Sequence, residues 1–254
     1  MTALPELIQF PYSHYNEKAR WALDWKRIPH VRTDLLPGPH APFVRRLTGQ
    51  TQTPLLRLDG RLLHGSARIL AELERHQPEP PLYPKDPALR ARALEIERFF
   101  DEEIGPRVRR GLFAALLETP GYIAHIFSSQ RHPIVRALYR AAMPIARGLM
   151  RKGMGITDAA SIRDGHEGTR RGLDFVAREA GADGHLVRGA FSVADLAAAA
   201  LLAPAVMPEG SPMCLPRPRP AALDAWLAGF AAHPGADWVR DRYARYRPPC
   251  AAVV

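Results

Sequence analysis

Over the first 77 residues short apolar runs alternate with longer polar stretches, and the spacing switches from strand to helix and back. ELIQF reads as a short buried strand, and good helix formers follow from about Ser13 to Arg27, ahead of Pro29. HVRTDLL has the β-branched, alternating character of a second strand. A strand, helix, strand order with this connection length predicts a right-handed parallel crossover. PLLRL and RLLH flank Asp59 and Gly60, a pair suited to the left-handed backbone of a two-residue turn, so these runs are expected to pair as an antiparallel hairpin. SARILAELERH carries Ile69, Leu70 and Leu73 at helical spacing and closes the unit.

The stretch QPEPPLYPKDP cannot continue a helix. The boundary is therefore expected there, with residues 1–77 as one domain, 78–88 as a linker and 89–254 as a second domain. Beyond Leu89 the pattern is helical throughout, with no strand signal of comparable strength. Ser192 and Asp195 form a capping box with a short acid ahead of LAAAALLAPAV, which marks the start of a deeply buried helix. The fold class is an α/β N-terminal domain on the thioredoxin-like plan followed by an all-α C-terminal domain. The plan is strand, helix, strand, a loop ending in Gln52, Thr53 and Pro54, then a hairpin and a helix.

An apolar fraction of 46% in 254 residues is enough to bury a core without staples. Cys214 and Cys250 have neither metal-ligand nor redox spacing, so no disulfide framework is expected and a reducing cytoplasm fits. The opening MTALPELIQF lacks the pattern of a secretory signal, the tail CAAVV misses the spacing of a prenylation signal, and the longest apolar run falls well short of the ~20 residues that span a bilayer. The expectation is a cytoplasmic protein with no membrane span. The net charge of +9 is arginine-led and scattered, which reads as general composition and not as a nucleic-acid surface. One basic amphipathic stretch, from about Pro133 to Lys152, has three readings: ordinary core helices, the cover of a hydrophobic pocket, or a helix lying on a membrane. The ten histidines form no helix-spaced pair with a carboxylate and CxxC is absent, so no metal site is expected.

Ser13 heads the first helix, where serine is a preferred N-cap. The same position also has a chemical use, because a hydroxyl there can donate to an anion that the free backbone N–H groups and the helix dipole already favour. Tyr12 offers a second hydroxyl one position earlier. Tyr15 reads as a core contact and His14 as solvated or site-lining. The Thr53–Pro54 step is either a plain turn or a ligand-facing one, and Ser66 either caps the closing helix or holds an anion at its N-terminus. Arg45 and Arg68 read as solvated surface, with an anionic ligand as the other use.

Taken together, PYSHYNEKARWALD, QTPLL, HGSARILAELE and LVRGAFSVADLAAAALLAP resemble the glutathione transferase superfamily. The resemblance covers residues 5–80 and about 185–206, while about 105–160 matches no motif; the first segment is most similar to serine-type, bacterial members of uncertain substrate. It implies glutathione as co-substrate, and Ser13 as the catalytic hydroxyl that donates to the glutathione sulfur. It implies a cis Thr53–Pro54 bond that turns the backbone of Thr53 toward the cysteinyl part, and Gln52 and His40, the latter from the preceding loop, reaching the glycyl carboxylate. Ser66 would take the γ-glutamyl carboxylate, preceded by Gly65 where the family carries an acidic residue or glutamine. Tyr12 is the reserve hydroxyl. A free thiol has a pKa near ~8.5, so a depression of about two units makes most of it thiolate at neutral pH. The resemblance further implies a small hydrophobic electrophile, apolar lining drawn from the 133–152 region, and a homodimer. A non-catalytic protein that binds glutathione or a hydrophobic ligand on the same fold is the alternative.

Overall fold

The computed structural model describes residues 3–253. Four strands, β1 (Glu6–Gln9), β2 (Val31–Asp34), β3 (Leu55–Leu58) and β4 (Arg61–His64), form one sheet in the order β2-β1-β3-β4. β2 runs parallel to β1, as the crossover requires, and β3 and β4 are antiparallel neighbours. The hairpin turns on Asp59 and Gly60, with φ of +49° and +75°, the left-handed pair its sequence demands.

The alternation of side chains along each strand gives the sheet two apolar faces. Leu7, Leu56 and Leu63 are aligned across three strands and pack with α1 (His14–Trp25) and α3 (Ser66–His76). Ile8 and Leu55 meet Val44 on the opposite face. Val44 belongs to α2 (His40–Thr48), a helix the sequence reading treats as loop. Pro39 and Pro42 hide it, and of its apolar side chains Phe43 is exposed, yet Val44 and Leu47 cover the second face.

The rest of the chain is helical: α4 (Pro87–Phe99), a π-helical segment (Phe100–Ile104), α5 (Gly105–Leu116), α6 (Pro120–Ser128), α7 (Pro133–Gly153), α8 (Ala159–Glu179), α9 (Val193–Val206), α10 (Ala221–Ala228) and α11 (Pro234–Tyr246). α9 is buried from Val193 to Ala205 and forms the axis of this region. Its start is the expected capping box, in which the Asp195 carboxylate accepts from the Ser192 N–H at 3.0 Å and the Ser192 hydroxyl accepts from the Ala194 N–H at 3.3 Å. The chain is thus a thioredoxin-like domain followed by an all-α domain.

Candidate functional site

Ten of the twelve residues of α1 are buried, most of its charged ones included. Lys18 bridges Glu97 at 2.8 Å and Asp101 at 2.6 Å, which fastens α1 to α4 and the π-helical segment. On the other side Glu17 accepts from Arg20 at 2.7 Å and from Arg247 at 2.8 Å, while Arg20 also donates to Gln9 Oε1 at 2.7 Å and to the Phe10 carbonyl at 3.2 Å. Burial favours the neutral form of each charged group, but the partners outweigh it. Arg247 and Arg20 hold the Glu17 pKa below its ordinary value, and Asp101 and Glu97 hold that of Lys18 above. The consequence for the site is a rigid α1 with a fixed N-terminus.

Ser13 occupies the N-cap position of α1 in extended backbone, φ −132° and ψ 123°, but its hydroxyl makes no cap bond. Its carbonyl accepts the first helical bond, from Glu17 at 2.7 Å. Ser13 is half-buried, and neither its hydroxyl nor a side-chain cap satisfies the first-turn N–H groups among the described residues, an arrangement that favours an anion at this helix end.

Two hydrogen bonds bring the other expected residues to that place. Asn16 Nδ2, one turn into α1, donates to Thr53 Oγ1 at 3.0 Å, and the Gly65 N–H donates to the Pro54 carbonyl at 3.3 Å. The Thr53–Pro54 bond is cis, and neither the N–H nor the carbonyl of Thr53 has a partner among the described residues. Gly65 precedes α3 with φ +86° and ψ 127°, a backbone that only glycine adopts without strain. That conformation accounts for glycine at this position. Like α1, α3 begins without a side-chain cap, and Ser66 at its first position is 6% exposed.

The remaining expected residues divide. Gln52 is exposed, and its backbone is held by both ends of the Gln50 amide, which leaves its own side chain unbonded. His40 lies at the start of α2 and not in a loop, and both its ring nitrogens are engaged: Nδ1 accepts from the Gly38 N–H at 3.0 Å and Nε2 lies 3.0 Å from the Thr51 carbonyl. It braces the loop and has no nitrogen left for a carboxylate. His14 is buried at 3% exposure with Nε2 3.0 Å from the Gly105 carbonyl, so it is neither solvated nor free, and burial beside Arg109 pushes its pKa down to about 3. Tyr15 is the core contact expected of it, donating to the Asp101 carbonyl at 2.6 Å.

Tyr12 points to an apolar cavity of about 10 Å³, walled by Leu112, Phe113, Leu116, Phe127, Met207 and Met213 among others. That is room for about one water molecule. No wall of this cavity comes from residues 133–152; Tyr12, α5, α6, the end of α9 and the loop after it supply the lining. Phe127 is one of its walls, with its ring 6.1 Å from that of Tyr12 and 6.4 Å from that of Phe10.

Asn16, Gly105, Arg109 and Phe127 belong to the site and escape a reading of the sequence. At Gly105 a Cβ would lie 2.6 Å from the Tyr15 hydroxyl, so only glycine lets α5 approach α1 this closely. Arg109 follows one turn later on the same helix, and its charge acts on both His14 and Tyr15. It has no ion-pair or hydrogen-bond partner among the described residues, its Nε is buried, and burial lowers its pKa. It adds positive potential near the uncapped end of α1.

Residues 7–81 match the family described as glutathione S-transferase, N-terminal domain. That stretch of the chain belongs to the glutathione S-transferase N-terminal domain family. FtsZ-localized protein A of Caulobacter vibrioides is 26% identical over 200 residues, 77% of this chain and 75% of that one. Among solved structures, FzlA from C. crescentus aligns with a TM-score of 0.55 at 22% identity, covering 97% of this chain and 96% of that one. A glutathione S-transferase from Methylobacterium radiotolerans, in complex with glutathione sulfonate, aligns with a TM-score of 0.57 at 24% identity, covering 99% and 98%. The β-etherase LigF from Sphingobium aligns with a TM-score of 0.56 at 20% identity, covering 95% and 100%. These structural likenesses show the glutathione transferase fold. Within the superfamily match lie Ser13, Asn16, Thr53, Pro54, Gly65 and Ser66, whereas Arg109 and Phe127 lie outside it.

Proposed function

We propose that this chain binds glutathione in its N-terminal domain and activates the thiol for transfer to a small hydrophobic electrophile. The observation that carries the reading is the serine at the N-cap of α1 whose hydroxyl does no capping. In the proposed complex the glutathione sulfur lies at that end of α1, where Ser13 donates to it and the free N–H groups and Arg109 favour its negative charge. Thr53 pairs with the cysteinyl backbone as a neighbouring strand would. Ser66 and the uncapped start of α3 receive the γ-glutamyl carboxylate, and Gln52 serves the glycyl end. The thiol proton passes to solvent, the thiolate forms a C–S bond to the electrophilic carbon as that carbon expels its leaving group with the bonding pair, and Ser13 remains a donor, not a nucleophile. Tyr12 stays the reserve hydroxyl on the electrophile side, where burial keeps its proton on. No metal takes part in this scheme, and a cytoplasmic homodimer is the setting the resemblance implies, with light scattering to check the oligomer.

The small size of the cavity favours a second reading, a non-catalytic protein that binds glutathione or a hydrophobic ligand. Typical small-molecule pockets hold about 300–1,000 Å³, against about 10 Å³ here. The relatives point both ways as well, since one is named for localisation with FtsZ and another is a glutathione S-transferase with a bound glutathione analogue. Calorimetry with glutathione and turnover of a small general electrophile separate the two. The transferase reading expects millimolar or tighter binding and turnover that Ser13→Ala reduces by about a hundredfold, in line with the loss of one anion-stabilising donor. Binding without turnover supports the second reading, and absence of glutathione binding overturns both.

A further inference from the structure

We propose that α7 is a docking surface for an anionic phospholipid membrane. This inference is independent of the glutathione site. α7 is 21 residues long, about 30 Å. One flank, Tyr139 and Met143 with Ala146 and Met150, packs against the rest of the protein. The adjoining flank carries Ile134, Leu138, Ile145 and Leu149, which are 64%, 67%, 80% and 71% exposed. Their spacing of four, seven and four residues makes a continuous stripe. Four large aliphatic side chains left in water along one helix face are a feature in need of a partner.

The charges identify the partner's chemistry. From Thr119 to Thr157 the chain has no Asp or Glu, and it has Arg131, Arg136, Arg140, Arg147, Arg151 and Lys152. No carboxylate pairs with any of these six among the described residues, whereas half of the arginines elsewhere in the chain are paired. Arg136, Arg140, Arg147 and Arg151 repeat the spacing of the apolar stripe two residues later, which puts them about 200° around the helix on the polar side. An apolar stripe with a purely cationic polar face is the distribution of a helix lying in the plane of a membrane interface. There the aliphatic side chains enter the acyl boundary and the guanidinium groups stay at the level of anionic headgroups. A second copy of the chain fits less well, because pairing α7 with its equal would cover the apolar stripes but leave both sets of cations without an anionic partner.

The test is flotation of the full chain with vesicles of phosphatidylcholine alone and with about one third phosphatidylglycerol, at low and high salt. The exposed positions allow Leu138→Gln with Ile145→Gln, and Arg136→Gln with Arg140→Gln, without loss of the fold. The wild type is expected to float with anionic vesicles at low salt and not with neutral ones. The aliphatic pair is expected to reduce the bound fraction at least about tenfold, and the arginine pair to weaken binding and flatten its salt dependence. The proposal is overturned if the wild type does not float with anionic vesicles at low salt, or if both variants float as well as the wild type. It is equally overturned if light scattering finds a dimer that Leu138→Gln with Ile145→Gln dissociates while vesicles bind nothing, which would assign the face to a second copy.

Discussion

Because the Ser13 hydroxyl makes no cap bond, replacing it separates chemistry from stability. Ser13→Ala is expected to change the urea midpoint by less than about 0.5 kcal/mol equivalent, whereas Ser192→Ala, which removes a hydroxyl that does cap, is expected to cost about 1 kcal/mol. Gly105→Ala is the opposite kind of test. Its Cβ would meet the Tyr15 hydroxyl at 2.6 Å, so the variant is expected to lose about 1–3 kcal/mol and to weaken glutathione binding by displacing the start of α1. The positions of Ser13, Thr53, Pro54 and Ser66 at element boundaries were legible in the sequence because each is a local device, a hydroxyl or a proline, while the roles proposed for them came from the resemblance. Asn16 and Arg109 were not, since their roles depend on groups 37 residues away in one case and on a helix of the second domain in the other. The engagement of His40 was equally hidden, because a loop and the first turn of a proline-bearing helix look alike in sequence.

Among the elements, α1 shows where local pattern ends. Its run of helix formers predicted the helix, but nothing in that run signals the burial of its charged residues, which follows from partners such as Glu97, Asp101 and Arg247 far along the chain. This network has a pH signature. The folded-state pKa of Glu17 lies below its ordinary value, so its contribution is present above the unfolded value of about 4.3 and is lost as pH falls through the lower folded value. The folded-state pKa of Lys18 lies above its ordinary value, so its contribution is present below about 10.4 and is lost as pH rises through the folded value. Denaturant midpoints measured against pH are expected to form a plateau that declines on the acid and the alkaline side. Glu17→Gln is expected to remove part of the acid decline and to lower the plateau by about 3 kcal/mol, since it leaves Arg20 and Arg247 buried without their carboxylate. Two elements show the limits of periodicity in other ways. α2 escaped notice because only two of its side chains are buried apolar contacts, and α7 kept its apolar positions but turned most of them to solvent.

For the whole molecule, the two parts of the proposed site stand in different states: Ser13 and Thr53 are half-buried with unpaired polar groups, and the apolar side is nearly closed, with a cavity of about 10 Å³ that Phe127 helps to wall. Phe127→Ala is expected to enlarge the cavity, to raise the affinity for apolar electrophiles, and to lower stability by about 3 kcal/mol; turnover and denaturation of the same preparation check both. A rise in stability with no gain in affinity would show that Phe127 does not gate the site. The order of elements and the hairpin at Asp59 and Gly60 could be read from the chain, whereas the closure could not, because it depends on how α5, α6 and α9 meet. The central claim is that the uncapped start of α1, with Ser13, stabilises a thiolate. The most direct measurement is the ultraviolet absorbance of the thiolate of bound glutathione followed against pH in the wild type and in Ser13→Ala. The account predicts a midpoint about one to two units below the ~8.5 of a free thiol and its return toward that value in Ser13→Ala, whereas a wild-type midpoint equal to that of free glutathione, or one that Ser13→Ala leaves in place, would contradict it.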